Sequence, residues 1–360
     1  MASTWPLELT LLRDLVATAS VSGTEETIAR LVEETVRSWG LPVRRDDASV
    51  TVEVCGRTSG PTLAFASHLD TVPAGEGWTR PPFSPTVEGN RLYGRGSGDA
   101  KASVAAMLTA ARDLAETGGP ARGRLLVLLG YGEETRHTTL GLAVERAGPI
   151  DAAVVGEPTN LEFAVAQRGL MMVDLVARGD QRHAGYAAED GEFTNAITAL
   201  SRSVAKLGGL LKERTHPTLG LATATPTMIE AGVSRNVTPP VARAVLDVRS
   251  TPAWTHEELA HALRQGLDGD VEVVVTSDRL VPCETPAGSS LLTLAERVRP
   301  EGQTFGSPTC SDWVFLRDRD TFKCGPGTSR RSHTPDEYVD MPEVSAARQF
   351  YHHLAEAYLA

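Results

Sequence analysis

The chain has 360 residues, of which 41% are hydrophobic and 22% are charged, and this is the composition of a folded globular protein rather than a disordered or fibrous one. Its formal net charge of −11 argues against a sequence-independent hold on nucleic acid, which depends on clustered Lys and Arg. A chain of this length fits about two domains.

Nothing in the sequence indicates a membrane or secreted protein. The first residues, MASTWPLELTLLRDLV, contain three charged side chains within their apolar stretch and so lack the core of a signal peptide. No apolar run approaches the ~20 residues of a membrane-spanning helix. Four cysteines without CxxC spacing predict reduced thiols, namely Cys55, Cys283, Cys310 and Cys324. We expect a cytoplasmic protein with no membrane partner and no nucleic-acid partner.

The first half of the chain alternates between helix and strand patterns. Residues 7–39 have the apolar spacing of two helices, with Ser22 or Thr24 before Glu26 as a candidate N-cap. The segments that follow are strands at 42–54 and 61–70, a helix at about 100–116, and strands at 124–132 and 152–158. This order predicts an α/β domain whose sheet is covered by helices on both faces.

From about Leu161 the order changes to β-α-β-β-α-β, which is the ferredoxin-like pattern. After about Arg279 the helix and strand segments would complete the first domain. We therefore predict one domain from residues 1–163 and 279–360, and an inserted α+β domain from residues 164–278.

Polar residues that could carry chemistry follow the apolar strands. In LAFASHLDTVP, His68 and Asp70 are two apart, so on an extended strand both would point to one face, where an imidazole could bind metal near a carboxylate. The alternative is an ordinary hydrogen-bonded His and Asp at a strand end. Asp99 follows the glycines of RLYGRGSGDAK and precedes a helix, so it could instead be an N-cap. The glycines form neither a Walker loop nor a GxGxxG fingerprint.

Adjacent carboxylates end the next strand. Glu133 and Glu134 follow LLVLLGYG, and two carboxylates there repel each other unless a positive group lies beside them. The alternative is an exposed acidic turn. Glu157 in GEPTN and His333 in GPGTSRRSHTPDEYV complete a set of imidazoles and carboxylates that suits zinc and related divalent ions.

The motifs HLDTVP, GRGSGDAK, GEET, GEPT and SHTPDEYV, in this order, resemble those of the metallohydrolase superfamily that includes acetylornithine deacetylases, succinyl-diaminopimelate desuccinylases, aminoacylases and carboxypeptidase G-type enzymes. The resemblance implies a mixed-sheet catalytic domain and two divalent ions, zinc first, with cobalt or manganese as alternatives. It assigns His68 and Glu157 to one ion, Glu134 and His333 to the other, Asp99 as the bridge, Asp70 behind His68, and Glu133 as the general base.

For the inserted domain, the resemblance implies a lid and a homodimer interface. ARGDQRHAGYAAEDG aligns His183 with a residue that donates to the oxyanion in a partner's site, but the Pro that usually follows in the family is missing, and a surface His is the alternative. In SRNVTPPVARAVLDVRS, Arg235, Asn236 and Arg249 are candidates for binding a substrate carboxylate.

The predicted activity is hydrolysis of an N-acyl amino acid, nearest to acetylornithine deacetylase in arginine or lysine biosynthesis. The alternatives are release of lysine or ornithine from an amino-group carrier protein, succinyl-diaminopimelate desuccinylation, or a non-catalytic homologue that binds a ligand. A serine hydrolase is excluded because the sequence contains no GxSxG elbow.

Overall fold

A computed structural model describes residues 5–137, 139–186 and 193–360 of the chain, which divides into two compact units. The first unit comprises Met1–Val165, Glu284–Phe305 and Ser311–Ala360, and the second comprises Ala166–Cys283 and Gly306–Cys310. Among the described residues, no helix is long and apolar enough to cross a membrane.

The α-helices are α1 Leu7–Ala17, α2 Glu26–Ser38, α3 Lys101–Glu116, α4 Thr139–Ala147, α5 Ala196–Leu210, α6 His256–Gly266, α7 Ser290–Val298 and α8 Met341–Tyr358. Two 3₁₀ turns cover Ala184–Tyr186 and Asp312–Leu316.

The strands up to the second unit are β1 Val43–Arg45, β2 Ser49–Cys55, β3 Thr58–His68, β4 Thr86–Glu88, β5 Arg91–Tyr93, β6 Arg122–Gly130, β7 Ala152–Val155 and β8 Phe163–Gln167. The later strands are β9 Gly169–Arg178, β10 Thr215–His216, β11 Gly220–Leu221, β12 Thr223–Ala231, β13 Val241–Ser250, β14 Val271–Leu280, β15 Cys283–Glu284, β16 Thr304–Ser307, β17 Asp320–Lys323 and β18 Tyr338–Asp340.

The main sheet is mixed and has the order β1-β2-β6-β3-β7-β17-β8-β15, with β16 beside β8. Its centre is parallel, because β3 pairs in parallel with both β6 and β7, and β7 pairs in parallel with β17. Strands β1, β2 and β6 pair antiparallel. The carboxyl ends of the parallel strands therefore lie at one edge of the sheet.

Both faces of this sheet are covered. Along β6, Leu125, Val127 and Leu129 point into the core that contains α3 and α8, while Leu126 and Leu128 alternate to the opposite face and are also buried. A strand buried on both faces is an apolar run without hydrophobic-polar alternation, which is what RLLVLLG shows. The predicted α/β architecture is confirmed.

In the second unit, four antiparallel strands form a sheet of order β12-β13-β9-β14. Leu200 and Leu207 of α5 and Leu263 of α6 share a core with Leu175 and Leu246 of the sheet. The element order β9-α5-β12-β13-α6-β14 gives the ferredoxin-like arrangement predicted from sequence.

The second unit runs from residue 166 to residue 283, whereas the sequence predicts an inserted domain at 164–278, and the unit also includes residues 306–310. That short segment belongs to it because the Arg168 N–H donates to the Ser307 carbonyl at 3.1 Å and Gly306 packs against Thr218 and Leu219. Contacts this far apart in sequence leave no periodic pattern. The lid and dimerisation roles of this unit stay predictions.

The predicted N-cap of α2 is wrong. The helix begins at Glu26, the N-cap position is Glu25, and no side chain caps it. The Ser22 hydroxyl instead donates to Asp70 at 2.7 Å, and the Thr24 hydroxyl donates to the Val21 carbonyl. The Thr24 hydroxyl therefore bonds within its own loop, and the Ser22 hydroxyl bonds to the loop after β3.

Candidate metal centre

The predicted ligands of the first unit follow the parallel strands. His68 is the last residue of β3, Glu133 and Glu134 follow β6, and Glu157 follows β7. Open α/β sheets bind ligands beyond the carboxyl ends of their strands. Because β3 ends at His68, Asp70 lies outside the strand, which differs from the prediction that both side chains lie on one strand face.

One carboxylate lies between two imidazoles. Asp99 Oδ1 is 3.2 Å from His68 Nε2, and Asp99 Oδ2 is 3.7 Å from His333 Nε2. His333 Nε2 is also 2.9 Å from Glu134 Oε2. The ligand atoms of His68, Asp99 and Glu134 lie within 4.8 Å of one another, so these three residues could hold an ion together.

Asp99 is not an N-cap, so that alternative is wrong. Helix α3 begins at Lys101, its N-cap position is Ala100, and no side chain caps it. The Asp99–Ala100 peptide bond is cis. In the loop before it, Gly96 has φ 78°, and a Cβ there would lie 2.6 Å from the Thr71 methyl group. Only glycine fits this turn.

Asp70 ties the two glutamates to the strand that ends at His68. Its Oδ1 accepts the N–H of Glu133 at 3.0 Å and its Oδ2 accepts the N–H of Glu134 at 3.1 Å. His68 Nδ1 lies 3.1 Å from the Asp70 carbonyl and 3.5 Å from Asp70 Oδ1. Burial raises the pKa of Asp70, but His68, Ser22 and the Glu134 N–H outweigh it and lower the pKa to about 2.

The acidic turn is buried rather than exposed. Glu133 is 6% exposed, and burial, with the charges of Glu157, Asp312 and Glu134, raises its pKa well above the ordinary value. Burial and the charge of Asp99 raise the pKa of Glu157 to about 8. So many carboxylates are costly to bury together without a cation. The donor set of imidazole nitrogens and carboxylate oxygens therefore fits divalent metal ions of the zinc class.

Residues 64–357 match the sequence profile of peptidase family M20/M25/M40. The chain belongs to this family. A succinyl-diaminopimelate desuccinylase of Alkalilimnicola ehrlichii is 29% identical over 371 residues, which cover 95% of this chain and 96% of the relative. An acetylornithine deacetylase of Klebsiella pneumoniae is 28% identical over 384 residues, which cover 97% of each.

Solved structures have the same fold. Aminopeptidase PepT from Bacillus cereus superposes with a TM-score of 0.83 at 20% identity, covering 98% of each chain. YXEP of Bacillus subtilis, described as a dinuclear metal-binding peptidase of the M20 family, superposes with a TM-score of 0.77 at 17% identity, covering 98% of this chain and 97% of that one. This M20/M25/M40 member is a hydrolase acting on amide bonds.

Sequence reasoning missed Glu337, which supports the loop before Asp99. Glu337 is 1% exposed, and its Oε1 accepts the N–H groups of Gly98 and Asp99 at 3.0 and 3.1 Å. Its Oε2 accepts from Arg95 at 2.7 Å and from the Gly96 N–H at 3.1 Å. The signal was present, because Arg95 lies in GRGSGDAK and Glu337 in SHTPDEYV, but nothing local pairs the two motifs.

The remaining predicted residues of this M20/M25/M40 chain lie in the second unit. His183 is exposed and forms a β-bridge with Val237, and its Nδ1 accepts the Gly185 N–H at 3.1 Å. The Asn236 carbonyl accepts the Ala184 N–H at 2.8 Å, so the His183 loop and the Asn236 loop are held together. Part of the aligned motif, 187–191, lies outside the described residues.

The two candidate arginines differ in their surroundings. Arg249 donates through Nε and Nη2 to the Asp247 carboxylate at 2.7 and 3.0 Å, so its guanidinium is already paired. Arg235 is exposed. Their binding of substrate stays a prediction.

Proposed function

We propose that this M20/M25/M40 hydrolase removes the acyl group from an N-acyl amino acid with the aid of two divalent metal ions, zinc before cobalt or manganese. The observation that carries the proposal is the Asp99 carboxylate, whose two oxygens each face a different imidazole, His68 and His333. A carboxylate with one nitrogen ligand on each side suits a bridging position between two ions.

In this proposal His68 and Glu157 hold one ion, Glu134 and His333 hold the other, and Asp99 is shared. Two divalent ions in such a site polarise the amide carbonyl and acidify the attacking water. Glu133 takes the proton from that water and passes it to the leaving amine. A raised pKa suits this role, because a carboxylate with the ordinary pKa is a weak base towards water.

The names of the relatives narrow the choice of acyl group and amino acid in the substrate. One relative is named an acetylornithine deacetylase and another a succinyl-diaminopimelate desuccinylase, at nearly equal identity. We place N-acetylornithine first, with a role in arginine or lysine biosynthesis. The other two candidates are N-succinyl-diaminopimelate and an amino-group carrier protein that carries lysine or ornithine.

The second unit would serve as the lid and the homodimer interface. Strand β12 is an edge of its sheet and exposes Met228 and Ile229, an edge that a second copy could cover. His183 would donate to the oxyanion in the partner's site. Arg235 is preferred over Arg249 for the substrate carboxylate because Arg249 is already paired with Asp247.

A substrate panel tests the activity. Purified protein with zinc is assayed for amine release from N-acetylornithine, N-succinyl-diaminopimelate and an acylated carrier protein. We expect the first to be hydrolysed fastest, and absence of its hydrolysis would overturn that choice. Glu133→Gln should keep the bound metal and lower kcat about 10²- to 10⁴-fold; unchanged kcat would reject Glu133 as the base.

Light scattering tests the assembly. We expect the mass of a dimer, and we expect Met228→Lys with Ile229→Glu to give a monomer. A wild-type monomer would remove the role of His183 in a partner's site.

A further inference from the structure

The imidazole of His137 and the buried carboxylate of Asp312 lie beside Glu133. His137 Nδ1 is 3.0 Å from Asp312 Oδ1 and 3.4 Å from Glu133 Oε1. The side chains of His137, Asp312 and Glu133 are 15%, 4% and 8% exposed. One ring nitrogen therefore lies between two buried carboxylates that would otherwise repel each other.

We propose that His137 and Asp312 are positioning residues for the general base, with Asp312 fixing the imidazole of His137 and His137 fixing the carboxylate of Glu133. The inference rests on the proposed function, because it takes Glu133 as the base.

The two positioning residues come from different parts of the chain. His137 lies four residues after Glu133 in the same turn, whereas Asp312 is 175 residues from His137 and begins a 3₁₀ turn. The backbone of His137 has φ 45°, which is uncommon for a residue with a Cβ. A residue keeps such a conformation where the surrounding structure fixes it, and residues of this kind cluster at functional sites.

The charges around Glu133 explain why it needs such a contact. Glu134, Glu157 and Asp312 place three carboxylates near Glu133, and Asp312 lies outside the proposed ligand set. Without the imidazole of His137, repulsion would favour rotamers of Glu133 that turn away from its acidic neighbours. A displacement of about 1 Å in a catalytic group can cost about 10²-fold in rate.

Four variants test the proposal in the metal-loaded enzyme: His137→Ala, His137→Asn, Asp312→Asn and the exposed control His353→Ala. Asn tolerates positive φ and presents a side-chain amide near the position of Nδ1. The measurements are kcat and KM for the panel substrate that the wild type hydrolyses, bound metal, and the melting temperature.

We expect His137→Ala and Asp312→Asn each to lower kcat roughly 10- to 100-fold, with KM within about threefold of wild type and metal content unchanged. His137→Asn should recover most of the rate. A fifth variant that combines His137→Ala with Asp312→Asn should lose little more than either single one, because the two residues act as a unit. If His137→Ala does not fold, Asp312→Asn carries the same expectation.

The outcomes separate this inference from the proposed function. If Glu133→Gln abolishes turnover while His137→Ala and Asp312→Asn keep kcat within twofold of wild type, the positioning role is wrong and the base assignment stands. Equal losses in His137→Asn and His137→Ala, with a lowered melting temperature, would show a structural role only. If Glu133→Gln keeps its activity or no panel substrate is hydrolysed, the proposed function fails and this inference fails with it.

Discussion

Glu337 Oε1 accepts the backbone N–H of Asp99 at 3.1 Å, although the two residues are 238 positions apart in the chain. The same carboxylate pairs with buried Arg95 at 2.7 Å. The loop that presents Asp99 to both imidazoles is thus held by a residue that follows His333 in the chain. Loss of the Glu337 carboxylate should therefore disturb the position of Asp99 more than the rest of the fold.

Glu337→Gln should lower the free energy of unfolding by about 3–5 kcal/mol, because Arg95 would be left as a buried charge without its partner. Metal affinity should fall with it. Urea denaturation and metal titration measure the two effects. Glu88→Gln breaks the Arg80 pair, in which Glu88 is 51% exposed, and should cost under about 1 kcal/mol. Equal losses in both variants would contradict this role of Glu337.

Gly96→Ala should destabilise the Asp99 loop for two reasons, the positive φ of 78° and a Cβ that meets the Thr71 methyl group at 2.6 Å. Gly75→Ala is the matched control, since Gly75 has φ 72° and open space around it. The control should cost about 1–2 kcal/mol for the backbone alone. Thermal unfolding should show a larger loss for Gly96→Ala; equal losses would mean that the loop moves to accept the methyl group.

Removal of metal by a chelator should abolish activity and lower the melting temperature. The Glu157 carboxylate then lies near those of Glu133 and Asp99 without a metal ion to offset their charges. At a free ion concentration 100 times the dissociation constant, binding should stabilise the fold by about 2.7 kcal/mol. Calorimetry of the chelated and zinc-reloaded protein measures this. Full activity after complete removal of metal would reject the metal-dependent chemistry.

Glu258 predicts a pH dependence within the second unit. The Thr255 N–H and Arg214 lower the pKa of Glu258 to about 2 from an ordinary 4.5. Because the folded-state pKa is depressed, the stabilisation is present above about pH 4.5 and is lost as the pH falls towards 2. The free energies of unfolding of Glu258→Gln and wild type should therefore differ most near pH 6 and converge only as the pH approaches 2. A difference that does not change with pH would exclude this origin.

Much of the fold follows from local pattern. Apolar runs such as AAVV and LLVLLG predict buried strands because a parallel sheet is covered on both faces. The order of elements then predicts two architectures. The helix caps were not predictable in the same way, since Ser22 and Asp99 have the residue types of N-caps and yet contact Asp70 and His68 instead.

The sequence by itself determined the types of element, their order, and the short motifs that carry the imidazoles and carboxylates, because each of these depends on neighbours within a few residues. Only the tertiary structure decided which oxygen of Asp99 faces which imidazole, that Glu337 supports the Asp99 loop, and that Asp312 meets His137. These contacts join residues up to 238 positions apart, and such pairs are fixed by how strands and helices pack rather than by any local pattern.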